Sequence, residues 1–152
     1  MAGRTGKPVE RHLAFWDASA LVPLCVAQST TPRIITLYKT YEAVVWWATP
    51  VKIASALARL VRMKLLDASD WAKSRRLAEA LADAWFVIQP TDALRSKAAQ
   101  LVDRYDVRAA DGLQLAAGLE WCEDVPQGRL FLTLDQKLRE AAVLSGFDGK
   151  RI

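Results

Sequence analysis

The sequence predicts an α/β domain built on a mostly parallel sheet. Three observations carry that expectation. Short apolar runs rich in β-branched and aromatic residues, such as A-V-V-W-W at 43–47, alternate with amphipathic helical stretches. A hydrophobic fraction of 52% with six tryptophans is enough to fill a core in 152 residues. No apolar run approaches the roughly 20 residues of a membrane span.

Residues 1–11 read as a basic, Gly- and Pro-containing arm that frays and lacks the apolar stretch of a signal peptide. The domain proper is residues 12–152. Residues 12–16 read as a buried strand that runs into Asp17, and 19–27 as a helix, so Asp17 is an N-cap at a strand-to-helix junction. A helix over 31–41 opens at Pro32, and 43–47 is the second strand. Thr49 and Pro50 are the N-cap and first residue of a helix reaching about Lys64. Residues 68–82 form an amphipathic helix opened by Ser69 or Asp70, with Lys73, Arg75 and Arg76 outward. The third strand is 85–89. Thr91 or Asp92 caps a helix to about Arg104. Residues 105–119 form the next helix, with Asp106 as N-cap and Ala110, Leu113, Ala116 and Ala117 on its apolar side. A turn at Gln127-Gly128 leads to a fourth strand, 129–133. Asp135 opens the last helix, which ends near Gly146, and 147–152 adds a short edge strand.

Composition bounds the chemistry. Cys25 and Cys122 sit among apolar neighbours and read as buried free thiols in a reducing cytosol. One histidine and two cysteines cannot make an ordinary zinc site, so any metal would be held by oxygen. The net charge of +4 allows a polyanionic partner. Trp16, Trp46, Trp47 and Trp85 fall in apolar strands and belong to the core, whereas Trp71 and Trp121 can face an interface.

Three aspartates stand out. Ligands of parallel sheets bind beyond the carboxyl ends of the strands, where Asp17 and Asp135 lie. Asp111 sits among Ala and Leu, inside a helix, where an unpaired carboxylate is costly to bury. Two convergent carboxylates about 4 Å apart repel by about 4 kcal/mol at an effective dielectric near 20. A divalent cation relieves that repulsion, and Mg²⁺ or Mn²⁺ suits oxygen-only ligands. Such a cation would activate water and neutralise charge on a scissile phosphate.

The segments D-A-S-A-L at Asp17, R-A-A-D-G-L-Q-L-A-A at Asp111 and F-L-T-L-D-Q-K-L-R-E-A-A…G-F at Asp135 resemble the three aspartate motifs of PIN-domain ribonucleases. Within that family the chain is most similar to VapC-type toxins of bacterial toxin–antitoxin pairs, and the similarity spans residues 13–147. The resemblance implies a three-layer α/β/α PIN-like fold and Mg²⁺-dependent RNA cleavage by an activated water. It makes Asp17, Asp111 and Asp135 the catalytic and metal-holding residues. It also implies a cytoplasmic homodimer and a cognate antitoxin that blocks the acidic pocket. Ser19 and Thr133, close to the acids, can support water or metal. Arg108, one turn before Asp111, can hold RNA phosphates, with Arg4, Lys7, Arg11, Lys73, Arg75 and Arg76 as weaker candidates.

The chain departs from the family pattern at one place. It reads T-P-V-K-I-A-S-A-L where the family has T-P-x-E-I-x-S-A-L, so Lys52 replaces a glutamate. With Thr49 as N-cap, position 52 is the third helical residue, where Glu would close a capping box. Lysine there forgoes the box and opposes the positive helix end, each worth roughly 0.3–1 kcal/mol. Lys52 is either a substitution that abolishes toxicity or a divergence. In either case its ammonium is expected to enter the acidic pocket, pair with Asp17 or Asp111, and weaken Mg²⁺ binding and cleavage. Glu42 lies at the wrong end of its strand to substitute. The alternative reading is a non-catalytic PIN-fold module that binds RNA or an antitoxin. A receiver-like phosphoacceptor would need paired acids after the first strand, which F-W-D does not supply.

Overall fold

The computed structural model describes residues 12–150 and 152. The basic arm, with Arg4, Lys7 and Arg11, lies outside the described residues. The elements run β1 (His12–Trp16), α1 (Ala18–Cys25), α2 (Thr31–Thr40), β2 (Tyr41–Trp46), α3 (Thr49–Arg62), α4 (Ala68–Ala82) and β3 (Phe86–Ile88). They continue with α5 (Asp92–Arg104), α6 (Ala109–Trp121), β4 (Phe131–Leu132) and α7 (Gln136–Leu144). The described strands form one sheet in the order β3-β2-β1-β4, all parallel.

Strand periodicity builds the three layers. Consecutive side chains of β1 point to opposite faces. Phe15 joins Val44, Trp46 and Phe131 under α5, α6 and α7. Ala14 and Trp16 join Ala43, Val45 and Leu132 under α1, α2 and α3. Both sheet faces are therefore covered, as a parallel sheet requires. Helix α4 lies outermost, with Ser74 its only buried residue.

Several boundaries differ from expectation, for local reasons. β2 begins at Tyr41 and ends at Trp46, which leaves Trp47 out of the core at 55% exposed; Trp46 and Trp85 are buried. The α4 cap is Asp67, whose side chain accepts from the Asp70 amide, not Ser69 or Asp70. The expected edge strand over 147–152 reduces to a single bridge, Leu130 to Asp148. Gly146, at φ 109°, stops α7 as expected of a helix-ending glycine.

Cys25 and Cys122 are free and buried. Burial pushes the Cys25 thiol up to about 11 and raises Cys122 as well. Neither should react with a disulfide reagent at pH 8 until denaturant is added, because the thiolate is the attacking form. Full labelling of folded protein at the rate of the unfolded chain would contradict this burial.

Candidate carboxylate site

The sheet reverses its winding between β1 and β4, since the chain leaves β1 toward β2 and β3 and returns on the other side. That crevice, at the carboxyl ends of the strands, is where open α/β sheets place ligands. Asp17 follows β1 and Asp135 follows β4, so both acids flank it.

Asp17 is 1% exposed. Its two oxygens have different surroundings. Oδ2 accepts from the Ser19 hydroxyl at 2.5 Å, the Thr133 hydroxyl at 2.9 Å and the Ser19 amide at 3.3 Å. Oδ1 is buried and accepts no hydrogen bond among the described residues. Its nearest ion-pair partner is the Lys52 ammonium, 3.9 Å away. Ser19 also receives the Leu134 amide at 2.9 Å, and Thr133 receives the Asp135 amide at 3.0 Å. Ser19 and Thr133 thus fasten Asp17 to the start of α7. Asp135 caps that helix through Oδ1, which accepts from Leu138 at 2.9 Å.

Asp111 enters from α6. That helix begins at Ala109 with Arg108 as N-cap, so Asp106 is not the cap and Asp111 lies in the first turn. An acid there is favoured by the helix dipole. Ala110 is exposed, while Gln114, one turn on, is fully buried. Lys52 Nζ donates to Asp111 Oδ1 at 3.3 Å. The expected pairing of Lys52 is therefore present, and it reaches Asp111 and Asp17 together.

Lys52 arrives by a route the helix rule did not describe. The N-cap of α3 is Ala48 and Thr49 is the first helical residue. Lys52 is the fourth helical residue, so no capping box is possible at that spacing. The Thr49 hydroxyl is instead buried, 3.5 Å from the Gln114 amide nitrogen. Gln114 ties α6 to the start of α3, a contact that helical periodicity in the sequence gives no reason to expect.

Asp111 and Asp135 share the wall of a cavity of about 350 Å³, with Asp106, Val107, Arg108 and Lys137. Arg108 is exposed at this mouth. A larger cavity, about 690 Å³, opens at the amino ends of β1 and β2 around His12, Tyr41 and Arg129, away from the three acids.

With Lys52 in place the residues do not fit a divalent cation. The donors are oxygens of the right class, and Asp17 Oδ1 is an unsatisfied ligand atom. Yet an ammonium stands between the two most buried acids. Among the described residues, no group of three or more His, Cys, Asp and Glu is placed to hold one ion.

Burial holds the Asp111 carboxyl above its ordinary 3.8; Lys52 pulls it down, and Asp17 and then Asp135 push it up. The folded state binds that proton more tightly than the unfolded chain. Stability therefore falls as pH rises from the unfolded value through the raised folded value, and the penalty is fully present above it. Asp111→Asn should raise the melting temperature at pH 7 by about 2–4 °C per kcal/mol relieved. The gain should vanish below the ordinary aspartate value. An unchanged or lowered melting point at pH 7 would contradict the net burial penalty.

Gly112, beside Asp111, is a packing requirement. A Cβ there would lie 2.5 Å from Val102 Cγ1 and 3.5 Å from the Ala98 carbonyl on α5. Gly112→Ala gains about 1 kcal/mol of helix propensity but must push the helices apart. A net loss of about 1–3 kcal/mol is expected, smaller when Val102→Ala is added. A denaturant titration of both forms checks the coupling.

No protein-family model and no curated protein matches the chain. Among the described residues, no helix is long and apolar enough to cross a membrane.

Proposed function

We propose that the protein is a PIN-type endoribonuclease of the VapC toxin kind, with Lys52 holding this chain in a weakened or inactive state. On this reading it acts on RNA in the cytoplasm as a homodimer, under a cognate antitoxin that covers the acidic pocket. The observation that carries the reading is the Lys52 ammonium set between Asp17 and Asp111 at the crevice where the sheet reverses. An acidic pocket that holds a cationic side chain is one built for positive charge.

The chain's own residues have separable tasks. Ser19 and Thr133 fix Asp17 through one oxygen and leave the other buried, without a hydrogen bond and nearest the Lys52 ammonium. Asp111 projects from the first turn of α6, and Asp135 approaches from the cap of α7. Arg108 stands at the mouth for an incoming phosphate. Mg²⁺, or Mn²⁺, belongs to the form with an acidic residue at position 52, where it would supply polarised water and charge neutralisation.

The test is cleavage of single-stranded RNA by Lys52→Glu protein in Mg²⁺ or Mn²⁺, against the same protein carrying Asp111→Asn. Cleavage lost in the double variant supports the reading. The second reading, a non-catalytic RNA- or antitoxin-binding module, is favoured by the same ion pair, since Lys52 neutralises the pocket without any metal. Lys52→Glu protein that binds RNA yet never cleaves it would establish that alternative.

A further inference from the structure

Strand β3 forms one edge of the sheet, and among the described residues no strand pairs with its outer side. Its residues, Phe86, Val87 and Ile88, are all apolar, and Phe86 and Val87 are exposed. Natural sheet edges are blunted by lysine, proline or a bulge; none interrupts this strand. The register fixes which backbone groups are open. Ile88 stands beside Trp46, and its carbonyl accepts from the Trp47 amide at 3.1 Å. Successive residues turn their amides and carbonyls to opposite sides of a strand. Phe86 and Ile88 therefore bond inward to β2, and Val87 presents its N–H and C=O outward. Phe86 shares a rung with Val44 and Ile88 with Trp46, on the sheet face covered by α5 and α6. The same face carries an apolar cavity of about 550 Å³ just past the strand, walled by Trp46, Pro90, Leu94 and Leu113. The edge thus holds a knob and a hole on one side: the Phe86 ring, 54% exposed, and the cavity that begins at Pro90.

We propose that two copies of this chain pair through their β3 edges, antiparallel about a two-fold axis at Val87, so that each Phe86 ring enters the other copy's cavity. The inference rests on the homodimer of the reading above for its second copy; the surface comes from the strand itself. Val87 paired with Val87 exchanges two N–H···O=C bonds and satisfies both open groups. Phe86 then lies opposite Ile88 of the second copy and diagonal to its Pro90, a span that an aromatic side chain covers. A two-fold axis normal to the sheet keeps the faces matched, so ring and cavity meet on one side, and the contact is made twice. Charge agrees with the antiparallel sense. Asp83 is exposed and precedes the strand; Arg95, 78% exposed, follows it at the cavity rim. Antiparallel pairing sets Asp83 opposite Thr91 of the second copy, one helical turn before Arg95, whereas a parallel arrangement sets Asp83 against Asp83. Arg95 is 3.2 Å from Asp92 in its own chain, but both are open to solvent and that pair exchanges readily. One ring and its pocket on each copy cover little beside the roughly 800 Å² per partner of a standard interface. The pairing is therefore reversible, with a dissociation constant expected at about the micromolar level.

The test is sedimentation equilibrium of the intact protein, without RNA or metal, from about 1 to about 200 μM, a range that spans the expected constant. Phe86→Asp should raise the dissociation constant about tenfold or more, the loss expected for one buried anchor. Because Phe86 is already half open to solvent, its melting temperature should stay near that of the parent protein. Asp83→Arg should weaken pairing about threefold, and adding Arg95→Asp should restore it, a rescue that a purely structural role would not give. Exchange of the Val87 amide should slow as concentration rises. Leu144→Asp is the control: Leu144 is 72% exposed on α7, away from this edge, and its change should be less than about twofold. A monomer throughout the range would overturn the pairing. So would a dimer indifferent to Phe86→Asp, equal weakening by Leu144→Asp, or a Val87 amide whose exchange ignores concentration. The nuclease reading fails separately: Lys52→Glu protein that pairs through β3 but never cuts RNA keeps this surface and sinks that reading, while cleavage by a monomeric Lys52→Glu protein does the reverse.

Discussion

Replacing Lys52 by glutamate is expected to raise Mn²⁺ affinity by about 10²- to 10³-fold and to switch on RNA cleavage. The substitution changes the local charge by two units, and the cation carries two more. Four unit interactions of about 1 kcal/mol each, at 4 Å even in the dielectric of water, give about 4 kcal/mol. That is about a thousandfold in affinity. Lys52 is a third exposed, so solvent screening sets the lower bound. The measurement is Mn²⁺ titration of both proteins by calorimetry, with melting temperature as a second readout. Metal should stabilise only the glutamate form, because a ligand that binds the native state alone raises its stability. Equal affinities would show that Lys52 does not exclude metal.

The second large effect is on stability. Phe131→Ala should cost about 3–5 kcal/mol, and so lower the melting temperature by about 10–15 °C in a domain of this size. Phe131 is fully buried, with its ring 4.9 Å from Phe15 and 5.3 Å from Phe147. Gly118 makes room for it: a Cβ there would meet the Phe131 ring at 3.0 Å. β4 has only two ladder residues, so this side chain adds to the few backbone hydrogen bonds that tie the strand to β1 and to Asp148. Thr133 and Asp135 follow it directly. Loosening Phe131 should therefore also weaken any RNA or metal binding at the carboxylates. A loss below about 1 kcal/mol by denaturant titration would mean that the strand is held some other way.

Much of this arrangement was legible in the residues. Alternation of apolar strands with capped helices predicted the parallel α/β sheet and the positions of Asp17 and Asp135. Lys52 stands out by opposing the helix end it occupies; the motif resemblance that gathers the acids leads to the expectation that it pairs with Asp17 or Asp111, and it reaches both. The failures have a common physical origin. Trp47, Asp106 and Thr49 were assigned from local pattern, but each answers to a distant partner or to a one-residue shift in a boundary. Asp106 is drawn to Lys137 across the cavity, and Thr49 to Gln114 on α6. The close approach of Gly112 to Val102 leaves no mark in the sequence. The Lys52 ammonium stands beside Asp17 and Asp111, inside the acidic cluster where the sequence reading expects it.

The Thr133 hydroxyl bonds to Asp17 across 116 positions of chain. A polypeptide emerging from the ribosome therefore displays Asp17 long before anything can orient it. The Asp17–Lys52–Asp111 cluster draws on residues up to 111, but the hydroxyl that fixes Asp17 arrives only with the segment after β4. A chain interrupted before Thr133 would carry Asp17 without that anchor and without Asp135.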